Sequence, residues 1–79
     1  MIVKVKFWKP EIQGFAGKEY AYLTDLDLRV NDKVVAPTAR NPEQAAVVVE
    51  TNCKAENLSL SYLSVLKTID KKWEGDLPK

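Results

Sequence analysis

A chain of 79 residues suits one domain. Its core is a thin layer of side chains, with little room for a deep catalytic cavity. With 46% apolar and 29% charged residues the chain is globular in composition, and a net charge of +1 gives no general pull toward nucleic acid or membrane. The single cysteine, Cys53, excludes an internal disulfide and fits a reducing, cytoplasmic setting. The longest apolar run, Ala45 to Val49, is far below the ~20 residues that span a bilayer, and Met1 to Lys6 lacks the apolar core of a signal peptide.

From Ile2 to Phe7 the residues alternate, with Val3, Val5 and Phe7 on one side and Lys4 and Lys6 on the other. That is the period of a half-buried strand. Lys9-Pro10 and Gly14 to Gly17 read as a loop. Glu19 to Thr24 reads as a second strand with Tyr20 and Tyr22 on one face, and Asp25 to Leu28 continues the alternation. Asn31-Asp32 is the expected turn, because asparagine tolerates positive φ better than other non-glycine residues. Lys33 to Pro37 forms a third strand that stops where Pro37 cannot donate a ladder hydrogen bond. Asn41-Pro42-Glu43-Gln44 has the form of a helix start. The β-branched run Val47-Val48-Val49 favours a strand over Ala45 to Thr51 instead, with Asn41-Pro42 as a turn. Together these segments make a hairpin region from Tyr20 to Glu50.

Asn52 to Asn57 is a polar connection. In the tail, Tyr62, Leu66, Ile69 and Trp73 fall at helical spacing, while Leu63, Val65 and Ile69 also fit a strand. A helical turn over Ser59 to Leu63 followed by a strand from Val65 to Asp70 is the expectation. The whole predicts a mostly-β fold: a small five-stranded barrel of SH3-like or OB-like kind over residues 1–73, with 74–79 as a frayed tail.

The residue inventory argues against catalysis by the chain alone. Histidine, the commonest general base, is absent, and zinc sites of the Cys/His type cannot form within one chain. Cys53 has only Lys54 beside it to lower its pKa and reads as a passive side chain. Asp25, Asp27 and Asp32 do not form a calcium loop, since Arg29 and Val30 stand where a ligand and a glycine are needed. They read as the solvent face of a segment whose inner face is Leu26 and Leu28. Gly14 to Gly17 matches no nucleotide-binding fingerprint. No catalytic residue, metal or cofactor is expected.

The basic and aromatic residues point elsewhere. Lys4, Lys6, Trp8 and Lys9 place charges and a ring on one segment, as single-strand binders do, and Tyr20, Tyr22, Arg40 and Lys54 are candidates to extend that surface. The bland reading is that Phe7, a tyrosine and Trp73 belong to the core or its rim and that the lysines are solvated. Trp8 falls on the lysine side and is the best candidate for an exposed ring.

Tyr20-x-Tyr22, Leu26-x-Leu28-x-Val30-Asn31-Asp32-Lys33-Val34-Val35-Ala36-Pro37, Ala46-Val47-Val48-Val49-Glu50 and Leu66-Lys67-Thr68-Ile69-Asp70 resemble the N-terminal 3′-DNA-end-binding domain of the primosomal helicase PriA. The resemblance covers about two-thirds of the chain, and it departs from the family at Asn31 and Ala45-Ala46, where glycine is usual. It implies a small barrel that binds single-stranded DNA or a DNA end. Arg40 falls in the family's basic loop. Without a helicase following it, such a domain looks like a phage or mobile-element protein or a single-domain accessory protein. Three functions stay open from sequence: a non-enzymatic binder of single-stranded nucleic acid through Lys4, Lys6, Trp8, Lys9 and Arg40; a protein-interaction module, such as a modulator of a host protein; and a self-associating structural component. No membrane partner is expected.

Overall fold

A computed structural model describes residues 1–54 and 66–78. Among them the chain forms five strands: β1 (Ile2–Lys9), β2 (Gly14–Thr24), β3 (Lys33–Ala36), β4 (Gln44–Cys53) and β5 (Thr68–Ile69). No helix occurs among the described residues, so none is long and apolar enough to cross a membrane. The strands lie in one sheet in the order β3-β4-β1-β2-β5. All neighbours are antiparallel except β2 and β5, where Leu23 pairs with Thr68 and Thr24 with Ile69. Beyond β5 the backbone reaches the far edge. Val34 bridges Lys72, Val35 N–H donates to the Lys71 carbonyl at 3.1 Å, and Trp73 N–H donates to the Lys33 carbonyl at 3.0 Å. The sheet is thereby nearly closed into a barrel, and few ladder groups at its β3 edge are left to water.

Alternation sorts the side chains as expected. Val3 and Val5 of β1, Tyr22 of β2, Val34 and Ala36 of β3, Ala46 and Val48 of β4, and Ile69 of β5 form one buried cluster with Leu28. Phe7 and Leu26 pack against it. The β-branched run of β4 is a strand, and β3 stops before Pro37. Asn31 adopts φ 80°, and Asp32 N–H returns to the Arg29 carbonyl at 3.0 Å, closing a tight turn with positive φ at its third residue. The Asp32 carboxylate accepts from Arg29 N–H at 2.9 Å, which holds it below its ordinary range.

The structure corrects four sequence expectations. Gly14 to Gly17 belongs to β2 rather than to a loop. The hairpin tip is Pro10 to Gln13, where Ile12 N–H reaches the Lys9 carbonyl and Gln13 takes the left-handed conformation at φ 48°. Gly17, at φ 93°, lies in an irregularity of the β1–β2 ladder, between the pairs Val5–Tyr20 and Phe7–Ala16. Asp25 to Leu28 leaves the ladder, because Thr24 Oγ1 captures the Leu26 N–H at 3.0 Å and Leu28 N–H turns back to the Leu26 carbonyl at 3.1 Å. Leu28 is still buried, so the apolar spacing was informative although the conformation is irregular.

The region from Tyr20 to Glu50 is likewise not one continuous pairing. Strand β3 pairs with β4, whereas β2 pairs with β1 and β5. Asn31-Asp32 docks on β4 instead, through Asn31 N–H to the Val48 carbonyl at 2.8 Å and Val48 N–H to the Asp32 carbonyl at 2.9 Å. Of the expected strand from Val65 to Asp70, Val65 lies outside the described residues, and among the described ones only Thr68 and Ile69 form a ladder, with Leu66 and Lys67 irregular. The expected turn over Ser59 to Leu63 lies outside the described residues.

Candidate nucleic-acid interface

Strand β1 carries its inner face out to the rim of the barrel. Phe7 stacks on Tyr20 of β2 with ring centroids 4.9 Å apart and planes within 14°, and meets Tyr22 edge-on at 6.4 Å. Tyr22 is buried and donates its hydroxyl to the Pro37 carbonyl at 2.9 Å. It therefore supports the site from inside the core and offers no surface. Tyr20 is 40% exposed, which leaves an aromatic edge at the mouth.

The connection from β3 to β4 crosses the same mouth. It is tied by its own side chains: Thr38 N–H and Oγ1 both donate to the Asn41 carbonyl, and Asn41 N–H donates to Thr38 Oγ1 at 2.9 Å. Asn41 Oδ1 accepts from Glu43 N–H at 3.0 Å, the local bond by which asparagine favours turns over helix starts. Gln44 Nε2 then donates to the Trp8 carbonyl at 3.2 Å, fastening the loop to β1. Arg40 rides exposed on this braced loop.

The result is an open cleft of about 580 Å³, with Phe7, Tyr20, Lys9, Arg40 and Gln44 among its walls. Trp8 also borders it, as does one acid, Glu11. Glu43 faces away, with its carboxylate 4.0 Å from Lys71 Nζ. Of the residues singled out from sequence, Trp8, Lys9 and Arg40 meet at this cleft. Lys4 and Lys6 do not, and lie on the outer wall of β1. Lys4 is paired in register with Ala21 and Glu50, and Lys6 with Val47. Lys54 follows the end of β4 that pairs with Ile2, away from the mouth. Trp8 is half-buried, edge-on to Phe15 at 5.1 Å, and its indole N–H donates to the Pro78 carbonyl at 2.6 Å.

Sequence reasoning missed Gln44 and Thr38, because their contribution is to hold Arg40 in place and depends on a loop geometry that no spacing reveals. Asn41 carried a signal, since an asparagine ahead of proline starts turns.

Cys53 is a half-buried free thiol at the end of β4. Burial and the Glu50 carboxylate, to which its S–H donates at 3.0 Å, push the thiol up to about 11. Among the described residues no group of histidine, cysteine or acidic side chains is placed to hold a metal ion.

Known protein families, curated proteins and solved structures yield no match to this chain.

Proposed function

We propose that this barrel is a non-enzymatic binding domain for single-stranded nucleic acid, with the rim cleft as its contact surface. The observation that carries the reading is the meeting of the Phe7–Tyr20 ring stack with Lys9 and Arg40 in one open cleft. Aromatic edges take bases irrespective of sequence, and flanking cations follow the phosphates. The braced loop lowers the backbone share of the ordering cost at Arg40 on binding. The resemblance of the Tyr20–Glu50 region to the PriA N-terminal domain points the same way and makes a DNA end the finer form of the proposal. Lys4 and Lys6 would extend the electrostatic footprint along β1 without lining the cleft.

Fluorescence anisotropy with a short labelled oligonucleotide tests this. The expected result is binding at low salt whose log K falls with log salt at about −0.7 per phosphate contacted. No binding at low salt overturns the proposal and leaves a protein partner as the better reading. That alternative draws less support from the surface, because among the described residues the exposed large apolar side chains are spread over both ends of the barrel. Ile12 lies at the β1–β2 tip, while Met1 and Leu23 lie at the opposite end.

A further inference from the structure

The segment after Trp73 makes a contact that neither the barrel nor the cleft requires. Backbone pairing with β3 ends at Trp73. The chain then turns through Gly75, at φ 83°, with the Trp73 indole donating to the Asp76 carbonyl at 3.3 Å. It reaches Trp8, whose indole N–H is taken by the Pro78 carbonyl across 70 residues of sequence.

Apart from half-buried Leu77, the described segment lies open to solvent. Glu74, Gly75, Asp76 and Pro78 are exposed, and among the described residues Glu74 and Asp76 enter no ion pair. It nonetheless occupies the polar edge of the one tryptophan that borders the cleft.

We propose that residues 74–78 form a displaceable strap that competes with the nucleic acid for Trp8, so that the full chain rests partly closed and opens when a ligand takes that surface. This rests on the nucleic-acid reading of the cleft. A ligand shifts such an equilibrium only through different interactions with the two states. Here the difference is the bond at Trp8: a base or sugar that uses the Trp8 indole must displace Pro78. Linkage then requires that weakening the strap strengthens binding by the same factor that binding weakens the strap.

Gly75→Val in the full chain is the direct test. A side chain there meets open space, so the substitution leaves the barrel alone and disfavours only the left-handed turn. Two readouts are taken: exchange of the Trp8 indole proton by NMR, assigned by its loss in Trp8→Phe, and the dissociation constant for a labelled oligothymidylate at low salt. The expected result is faster exchange and roughly 5-fold tighter binding, the size of one net hydrogen bond. A chain ending after Trp73 should do the same if its dispersed spectrum shows that it folds; Gly75→Val decides where it does not. Unchanged indole exchange, or equal affinity of the intact and variant chains, overturns the strap while leaving the binding function standing. Binding by neither form overturns the function and the strap with it.

Discussion

At the end of the barrel where β1 begins, polar groups are consumed internally. The Met1 ammonium donates to the Thr24 carbonyl at 2.8 Å, and Thr24 N–H returns to the Met1 carbonyl at 2.9 Å. Buried Thr24 Oγ1 donates to the Ile69 carbonyl at 2.9 Å while accepting from Leu26 N–H. At the opposite end, where β1 finishes, rings and cations line an open cleft and the loop's internal bonds brace it without filling it. The same small barrel thus spends one end on closure and leaves the other open.

That contrast can be broken from either side. The largest effect is expected from Ile69→Ala. Ile69 is fully buried on a strand of two residues, so the loss of its side chain removes core contact where the sheet has least backbone pairing. Destabilisation of about 2–5 kcal/mol should appear in chemical denaturation. Thr24→Val keeps shape but leaves the Leu26 N–H and the Ile69 carbonyl without the hydroxyl, and should cost about 1–3 kcal/mol in the same measurement with the oligonucleotide affinity unchanged.

Tyr20→Ala should do the reverse. It should weaken oligonucleotide binding by about 1–3 kcal/mol, as loss of a base-stacking platform does, with a much smaller change in stability. Arg40→Ala should flatten the salt dependence by about one phosphate contact. A stability loss from Tyr20→Ala matching that of Thr24→Val, with unaltered binding, would make the mouth structural as well.

The smallest effect is on Cys53, which pairs with Ile2 at the closed end. Its pKa is raised from 9.0 to about 11, first by burial and then by Glu50. A raised pKa means that the folded state keeps a proton which the unfolded chain releases. The stability it contributes is therefore complete below pH 9.0 and lost as pH rises toward 11. Ultraviolet titration of the thiolate should show the high midpoint in the folded chain, and Glu50→Gln should bring it down.

Residue periodicity alone determined much of this protein. The inward faces of β1, β3 and β4, the stop at Pro37 and the positive φ of Asn31 all follow from local rules: side chains alternate in a strand, proline lacks a donor, and asparagine tolerates the left-handed region. The basic and aromatic character of Lys9, Trp8 and Arg40 was likewise plain from residue type. What local rules could not decide was which of these residues meet. Gly14 to Gly17 became strand because β1 offered a partner for it, and Asp25 to Leu28 lost its ladder because a single threonine hydroxyl captured the backbone. Arg40 shares a cleft with Tyr20 because β4 pairs with β1, whereas Lys4 and Lys6, nearer to Trp8 in sequence, are turned to the outer wall. Pairing between distant segments carries no periodic signature in the chain, so the cleft and the strap that touches it are properties of the tertiary structure.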